Sequence, residues 1–259
     1  MIIATSPLPY RNPLNNNYLE QIAQARRDGF SAYELHACRR GQRLSEEGLA
    51  ALSKTGMTFS VHANYMDNNL SSCDPVVRKA GVGQIKADIL FAKAVKAGLV
   101  VVHPGCRDGG SEAEAFESLN QSLRELLPFA CQHHIVLALE NMDGSGNKLC
   151  STHHDLGEIL VLHPALKLTI DFAHIGMTHQ DIMPFLSDFR DRIAHFHISG
   201  FAEGKPHPEV PLQASQIDFG PYLHRIRDWD MMITIEISDR RGAIKGRDVI
   251  EACFLGTSG

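Results

Sequence analysis

The chain has no apolar tract approaching the ~18 residues that cross a membrane. Its first residues, MIIATSPLPY, carry neither a basic stretch nor a long apolar run. A membrane partner and a secretory leader are therefore not expected, and a cytoplasmic location is. There is no excess of positive charge: 25 Lys and Arg stand against 30 Asp and Glu, a formal net charge of −5. That balance argues against a broad polyanion-binding surface and makes nucleic acid an unfavoured partner. The six cysteines, Cys38, Cys73, Cys106, Cys131, Cys150 and Cys253, include no C-x-x-C pair. In a chain of this size they read as reduced thiols rather than staples. No linker, low-complexity tract or charge run divides the chain, and no GxGxxG follows the first β-branched run, which disfavours an open dinucleotide-binding sheet.

What is present is alternation. Eight short, β-branched runs read as strands: Met1–Thr5, Ala32–His36, Thr58–His62, Leu99–His103, Ile135–Glu140, Leu166–Asp171, Ile193–Ile198 and Met232–Ile237. Amphipathic stretches such as YLEQIAQARRDGF and ADILFAKAVKAGL lie between them, and each of these two has a glycine near its end as a helix stop. Strand–helix alternation implies parallel strands with right-handed crossovers, and eight units close a barrel. The expected fold is thus α/β, a single parallel (β/α)8 TIM barrel occupying residues 1–259, a length that suits that architecture. Four stretches read as irregular: Asn64–Asp74, Asn141–Ser151, Ser199–Ser215 and Ser238–Gly246. All four follow strand C-termini, where a barrel builds its active site.

Histidine is abundant, at fourteen residues, and its placement matters more than its number. Glu34 and His36 fall on the second strand, His62 ends the third, His103 the fourth and Glu140 the fifth. Asp171 ends the sixth, with His174 just beyond; His197 lies in the seventh, with His207 in its loop; Glu236 lies in the eighth. A barrel gathers these ends around one axis. Imidazoles and carboxylates converging there suit Zn, Mn, Fe or Co, so the chain reads as a metal-dependent enzyme. A lone histidine at a strand end is more often a hydrogen-bonded core residue, but a whole ring of such groups would be costly to hold together without cations. His195 shares a face with His197 one layer deeper and reads as a supporting residue. Glu34 and His36 are balanced between ligand and structural roles. His133, His134, His153, His154, His163, His179 and His224 fall in helical or loop stretches and read as surface residues.

The strings SVHANY, VVHPG, ALEN, TIDFAH, HFHIS and TIEIS resemble the metal-binding strand ends of the xylose-isomerase-like TIM-barrel superfamily. That group includes endonuclease IV and sugar or sugar-phosphate isomerases and epimerases. The resemblance covers nearly the whole chain; each string is weak alone and the ordered set is specific. It implies a shared metal site at Glu140, Asp171, His197 and Glu236, with Zn or Mn as the first candidates and one to three ions in all. It further implies that His62 and His103 build a second site sharing Glu140, as in endonuclease IV, and that His174 and His207 belong to that family's third. The chain departs from the pattern in three places. Lys205 stands where the third site has an Asp, so Glu203 or Glu209 would have to substitute. Asn64 replaces the proline of an H-A-P-Y string whose tyrosine, Tyr65, is retained as a candidate substrate contact. QAS at Gln213–Ser215 replaces a frequent Gly-Glu-Gly turn.

Two chemistries follow. In an isomerase or epimerase of a small sugar or sugar phosphate, one metal would polarise a carbonyl, and Glu140 and Glu236 would act as catalytic acid and base. Arg240, Arg241, Lys245 and Arg247 cluster after the eighth strand, near where barrels commonly hold a phosphate, and read equally as a solvated charged loop. In a phosphoester hydrolase resembling endonuclease IV, two or more metals would act together. Chain size, charge and the breadth of the superfamily lean to the isomerase and a small-molecule substrate; His62 and His103 pull toward hydrolysis. A non-catalytic metal-binding scaffold is the third reading, distinguished by a closed coordination shell.

Overall fold

In a β-strand, successive side chains point to opposite faces, and here the two faces have different chemistry. Tyr33 and Leu35, Phe59 and Val61, Leu137 and Leu139, Leu168 and Ile170, Phe196 and Ile198, and Ile233 and Ile235 all enter one hydrophobic core. The residues between or beyond them, Glu34 and His36, Ser60 and His62, Glu140, Thr169 and Asp171, His195 and His197, and Thr234, are buried but polar. Apolar residues thus face a helical shell and polar ones face the barrel axis.

The structure, a computed structural model, describes residues 1–11, 17–37 and 45–256; Cys38 lies outside them. The strands are β1 (Ile2–Thr5), β2 (Ala32–His36), β3 (Thr58–His62), β4 (Leu99–Val102), β5 (Val136–Glu140), β6 (Lys167–Asp171), β7 (Ile193–Ile198) and β8 (Met232–Ile235). They pair in sequence order, all parallel, and β1 closes on β8, giving one (β/α)8 TIM barrel. The register places His36 opposite His62 and Asp171 opposite His197, so the functional ends share one level. His103 and Glu236 stand one residue past their strands.

The shell comprises α1 (Tyr18–Arg27), α2 (Glu46–Ser53), α3 (Pro75–Ala94), α4 (Glu112–Gln132), α5 (His153–Leu162), α6 (Phe172–Met177), α7 (Ile182–Asp188), α8 (Gly220–Ile226) and α9 (Arg240–Leu255). α3 carries Val82, Ile85 and Ile89 inward, and α4 carries Leu119, Leu123 and Leu126, the 3–4 spacing of a core-facing helix. Capping boxes start α4 (Ser111 with Glu114) and α5 (Thr152 with Asp155). Gly29 takes φ +90° after α1, as expected of a stop residue. After α3 the left-handed residue is instead Lys96, at φ 60°, two positions before Gly98.

Three expectations need correction. The segment Ser238–Gly246 is not a loop: α9 begins at Arg240 with Asp239 as its N-cap. Arg240 is tied to Asp28, Nε to Oδ2 at 2.7 Å, while Arg241 and Lys245 are exposed on the same helix. These cations therefore do not form one free basic loop. His163 is buried, not a surface residue; its Nε2 lies 2.8 Å from Asn120 Oδ1, a partner on α4 that no local pattern reveals. Among the described residues no disulfide links Cys73, Cys106, Cys131, Cys150 and Cys253, and no helix is long and apolar enough to cross a membrane.

Candidate metal centre

Glu140 is the hub. It ends β5, is 1% exposed, and turns its two oxygens to different neighbours. Oε1 lies 3.0 Å from His197 Nδ1, whereas Oε2 lies 3.0 Å from His103 Nε2 and 3.3 Å from His62 Nε2. Glu236 Oε2 approaches His197 Nδ1 from β8 at 3.4 Å. Asp171 is held by its own chain: its backbone N–H donates to Asn141, and its Oδ1 accepts from His174 N at 2.9 Å, capping α6. That leaves Asp171 Oδ2 without a hydrogen bond.

Of the five groups whose donor atoms lie within 4.8 Å of one another among the described residues, three are made of the expected ligands: Glu140, Asp171, His197 and Glu236; His62, His103 and Glu140; and Asp171, His174 and His207. All eight metal-ligand residues expected from the sequence are therefore brought together. The third group takes its carboxylate from Asp171 and not from the loop; Glu203, Lys205 and Glu209 are all exposed. Gly200 keeps that loop close. Its N–H donates to Val210 O at 2.8 Å, and a Cβ at this position would meet Pro211 O at 2.5 Å.

Beneath this layer, Glu34 is fully buried. Its Oε2 accepts from Ser60 Oγ and lies 3.1 Å from His195 Nε2, and its Oε1 lies 3.1 Å from His197 Nε2. His195 thus touches the carboxylate that faces His197 from below, and by distance alone Glu34, His195 and His197 could also hold an ion. Tyr65 is half-buried at the rim, stacked on His103 at 5.1 Å between centroids. Arg11, Ser60, Asp88 and Thr234 also contribute and were not singled out by the sequence. For Asp88 a signal existed. Asn64 stands where the family has proline, so it brings a backbone N–H, and Asp88 Oδ2 accepts it at 2.9 Å.

The electrostatics are those of a site built for positive charge. Burial pulls the His197 imidazole down, but Glu236, Glu34 and Glu140 together carry it well above its ordinary value. Burial pushes Glu140 up, and His197 and His103 hold it well below the carboxylate range. For Glu236 burial wins, with Glu140 adding to it, and the carboxyl is pushed up to about 7. Six buried polar atoms facing the barrel axis make no hydrogen bond: Glu34 Oε1, His36 Nε2, Glu140 Oε2, Thr169 Oγ1, Asp171 Oδ2 and His197 Nε2. Some of them stand 3.0–3.3 Å from a neighbour but off the hydrogen-bonding line. Two ligands about 2.1 Å from one ion stand roughly 3.0–3.4 Å apart in octahedral or tetrahedral geometry. The spacings at Glu140 and His197 fit a divalent cation.

Asp88 yields a test of the surrounding frame. It is 4% exposed, and burial raises its carboxyl from 3.8 to about 6. A raised folded-state value means that the stability it contributes is full below pH 3.8 and is lost as the pH rises through 6. Across that window the wild type is expected to lose on the order of 3 kcal/mol from this group. Asp88→Asn is expected to flatten the profile. Urea midpoints measured across the window check it; an unchanged slope in the variant would remove Asp88 as the source.

A family model of the xylose isomerase-like TIM barrel matches residues 22–253. The uncharacterized protein MJ1188 of Methanocaldococcus jannaschii is 32% identical over 200 residues, 74% of this chain and 72% of that one. A protein named probable endonuclease 4, of Bacillus licheniformis, is 28% identical over 148 residues, 56% of this chain; the match spans about half, 48%, of that relative. A D-tagatose 3-epimerase-like protein of known structure superimposes with a TM-score of 0.85 over 99% of this chain and 98% of its own, at 24% identity, a likeness of fold.

Proposed function

The chain belongs to the xylose isomerase-like TIM barrel family, and we propose that within it the protein is a phosphoester hydrolase working with more than one divalent cation. The observation that carries this reading is the division of Glu140, one oxygen toward His197 and the other toward His62 and His103. The isomerase toward which composition leans needs only Glu140, Asp171, His197 and Glu236. Four further imidazoles gathered around the same carboxylates are surplus to that chemistry, and burying them without a task would be costly.

The first four residues would hold one ion, His62 and His103 with Glu140 a second, and His174 and His207 with Asp171 a third, with Zn or Mn fitting the donor set. Bound there, such ions supply charge neutralisation at phosphoryl oxygens and activation of water. The protein's part is orientation. Ala63 and Asn141 carbonyls accept from His62 and His174 Nδ1, each at 2.9 Å, which leaves Nε2 as the lone-pair nitrogen of each neutral ring. Glu34 backs His197 from below. Tyr65 walls the rim over His103. With a net charge of −5, a small phosphorylated substrate fits better than duplex DNA, whose binding should be weak and salt-sensitive.

A second reading, a sugar or sugar-phosphate epimerase, is favoured by Glu140 and Glu236 both approaching His197 Nδ1. Two carboxylates at one cation site could deliver and remove a proton.

His103→Ala separates the two. If several ions act, the wild type binds at least two per chain, and the variant loses about one while its hydrolysis of a model phosphodiester falls about 100-fold. Metal analysis and initial rates measure both. A wild type holding one ion, with unchanged content in His103→Ala, would refute hydrolysis by several ions and leave the epimerase. Efficient incision of abasic DNA at physiological salt would move the substrate class from small esters to DNA.

A further inference from the structure

Histidine tautomers separate two kinds of donor in this rim. His62 and His174 each point Nδ1 at a backbone carbonyl, which can only accept, so in the neutral ring Nδ1 carries the proton and Nε2 offers a lone pair. His36 is the reverse. Its Nδ1 lies 3.4 Å from a guanidinium nitrogen of Arg11, and a guanidinium can only donate. His36 Nδ1 is therefore the acceptor and Nε2 carries the proton. That N–H is buried and has no hydrogen-bond partner; the nearest carboxylate oxygen, Glu236 Oε1, is 3.8 Å away. The ring is held in place: the Tyr18 hydroxyl donates to the His36 carbonyl, and the His62 ring lies 5.0 Å away. By distance alone Glu34, His36 and Glu236 could also hold an ion, but a protonated Nε2 has no lone pair to give one.

We propose that His36 is a substrate-binding residue whose Nε2–H donates to a phosphoryl oxygen, with Arg11 fixing the tautomer and adding positive charge behind it. This rests on the reading above that a phosphoester meets the rim at the metal cluster. The placement suits that substrate. β2 lies across the closed barrel from β6, so His36 faces the cluster from the side opposite Asp171 and His174. A phosphoryl group between them would meet cations on one flank and a neutral N–H donor on the other. An unpaired buried donor is costly, and an incoming anionic oxygen removes that cost.

The test has two independent arms on the full chain. In the metal-free wild type at neutral pH, long-range ¹H–¹⁵N spectra should show His36 protonated at Nε2 and bare at Nδ1, and Arg11→Leu should shift population to the other tautomer. A wild type protonated at Nδ1 overturns the proposal without reference to metal or substrate. In the zinc-loaded protein, His36→Leu should keep the wild-type metal content and bind inorganic phosphate about tenfold more weakly by calorimetry. His36→Gln, whose amide nitrogen can replace the donor, should stay within about threefold of wild type. Loss of an ion from His36→Leu would make the residue a ligand and overturn the proposal. So would unchanged phosphate affinity, or a zinc-loaded wild type that binds no phosphate. A protein that takes up no zinc defeats the reading of the cluster instead, and the tautomer spectra still decide the donor.

Discussion

Glu140→Ala is expected to remove more bound metal than any other single change in the rim, more than one equivalent per chain, and to lower activity by about 10³-fold or more. The reason is that two donor groups share this one carboxylate. Its Oε1 stands 3.0 Å from His197 Nδ1, and its Oε2 stands 3.0 Å from His103 Nε2 and 3.3 Å from His62 Nε2. Without it, neither group keeps its central anion, and His62 and His103 have no other carboxylate within ion-pair distance among the described residues. Glu140→Gln keeps the side-chain volume and removes the charge, so a similar loss there would assign the effect to the anion and not to packing. Elemental analysis of both variants beside His103→Ala gives the answer. Loss of one equivalent or less from Glu140→Ala would mean that the carboxylate does not bridge.

Glu236→Gln should abolish activity, by about 10³-fold, and lower metal content, while leaving the metal-free protein at least as stable as the wild type at alkaline pH. Burial and then Glu140 push the Glu236 carboxyl up to about 7 against an ordinary 4.5. In the metal-free protein, the stability it contributes is full below pH 4.5 and is lost as the pH rises through 7. Glutamine takes the shape of the protonated acid and does not pay that penalty. Metal uptake runs the other way, since a cation must displace the proton, so wild-type affinity should fall as the pH drops below 7 and the variant's lower affinity should lose that dependence. Metal titrations and melting temperatures across neutral pH measure both halves. Full retention of metal and activity in Glu236→Gln would remove this residue from the centre.

Much of this was legible in the chain itself. Eight β-branched runs, each followed by an amphipathic stretch, specify a parallel closed sheet because short-range periodicity and crossover handedness leave few alternatives. The two-residue period of a strand also places Glu34 with His36, and His195 with His197, on one face. The metal-type residues could be named because they end strands, and strand ends in a barrel converge. Local signals failed where the deciding partner is distant in sequence. Arg240 reads as a free cation until the fold brings Asp28 to it across 212 positions. His163 reads as exposed until Asn120 on α4 meets it.

The third donor group shows the same limit at the site. The missing loop carboxylate pointed to Glu203 or Glu209, yet Asp171 supplies it, because capping α6 occupies one of its oxygens and leaves the other facing His174 and His207. Which nitrogen each imidazole presents was equally beyond the sequence. The carbonyls of Ala63 and Asn141 set it for His62 and His174, and the guanidinium of Arg11 reverses it for His36. The sequence by itself determined which residue types reach the rim, since that follows from strand periodicity and chain order. Only the tertiary structure decided which oxygen is shared, which proton sits where, and which cation is already paired. Those depend on approaches of 2.7–3.4 Å between groups distant in the chain, set by how the barrel closes.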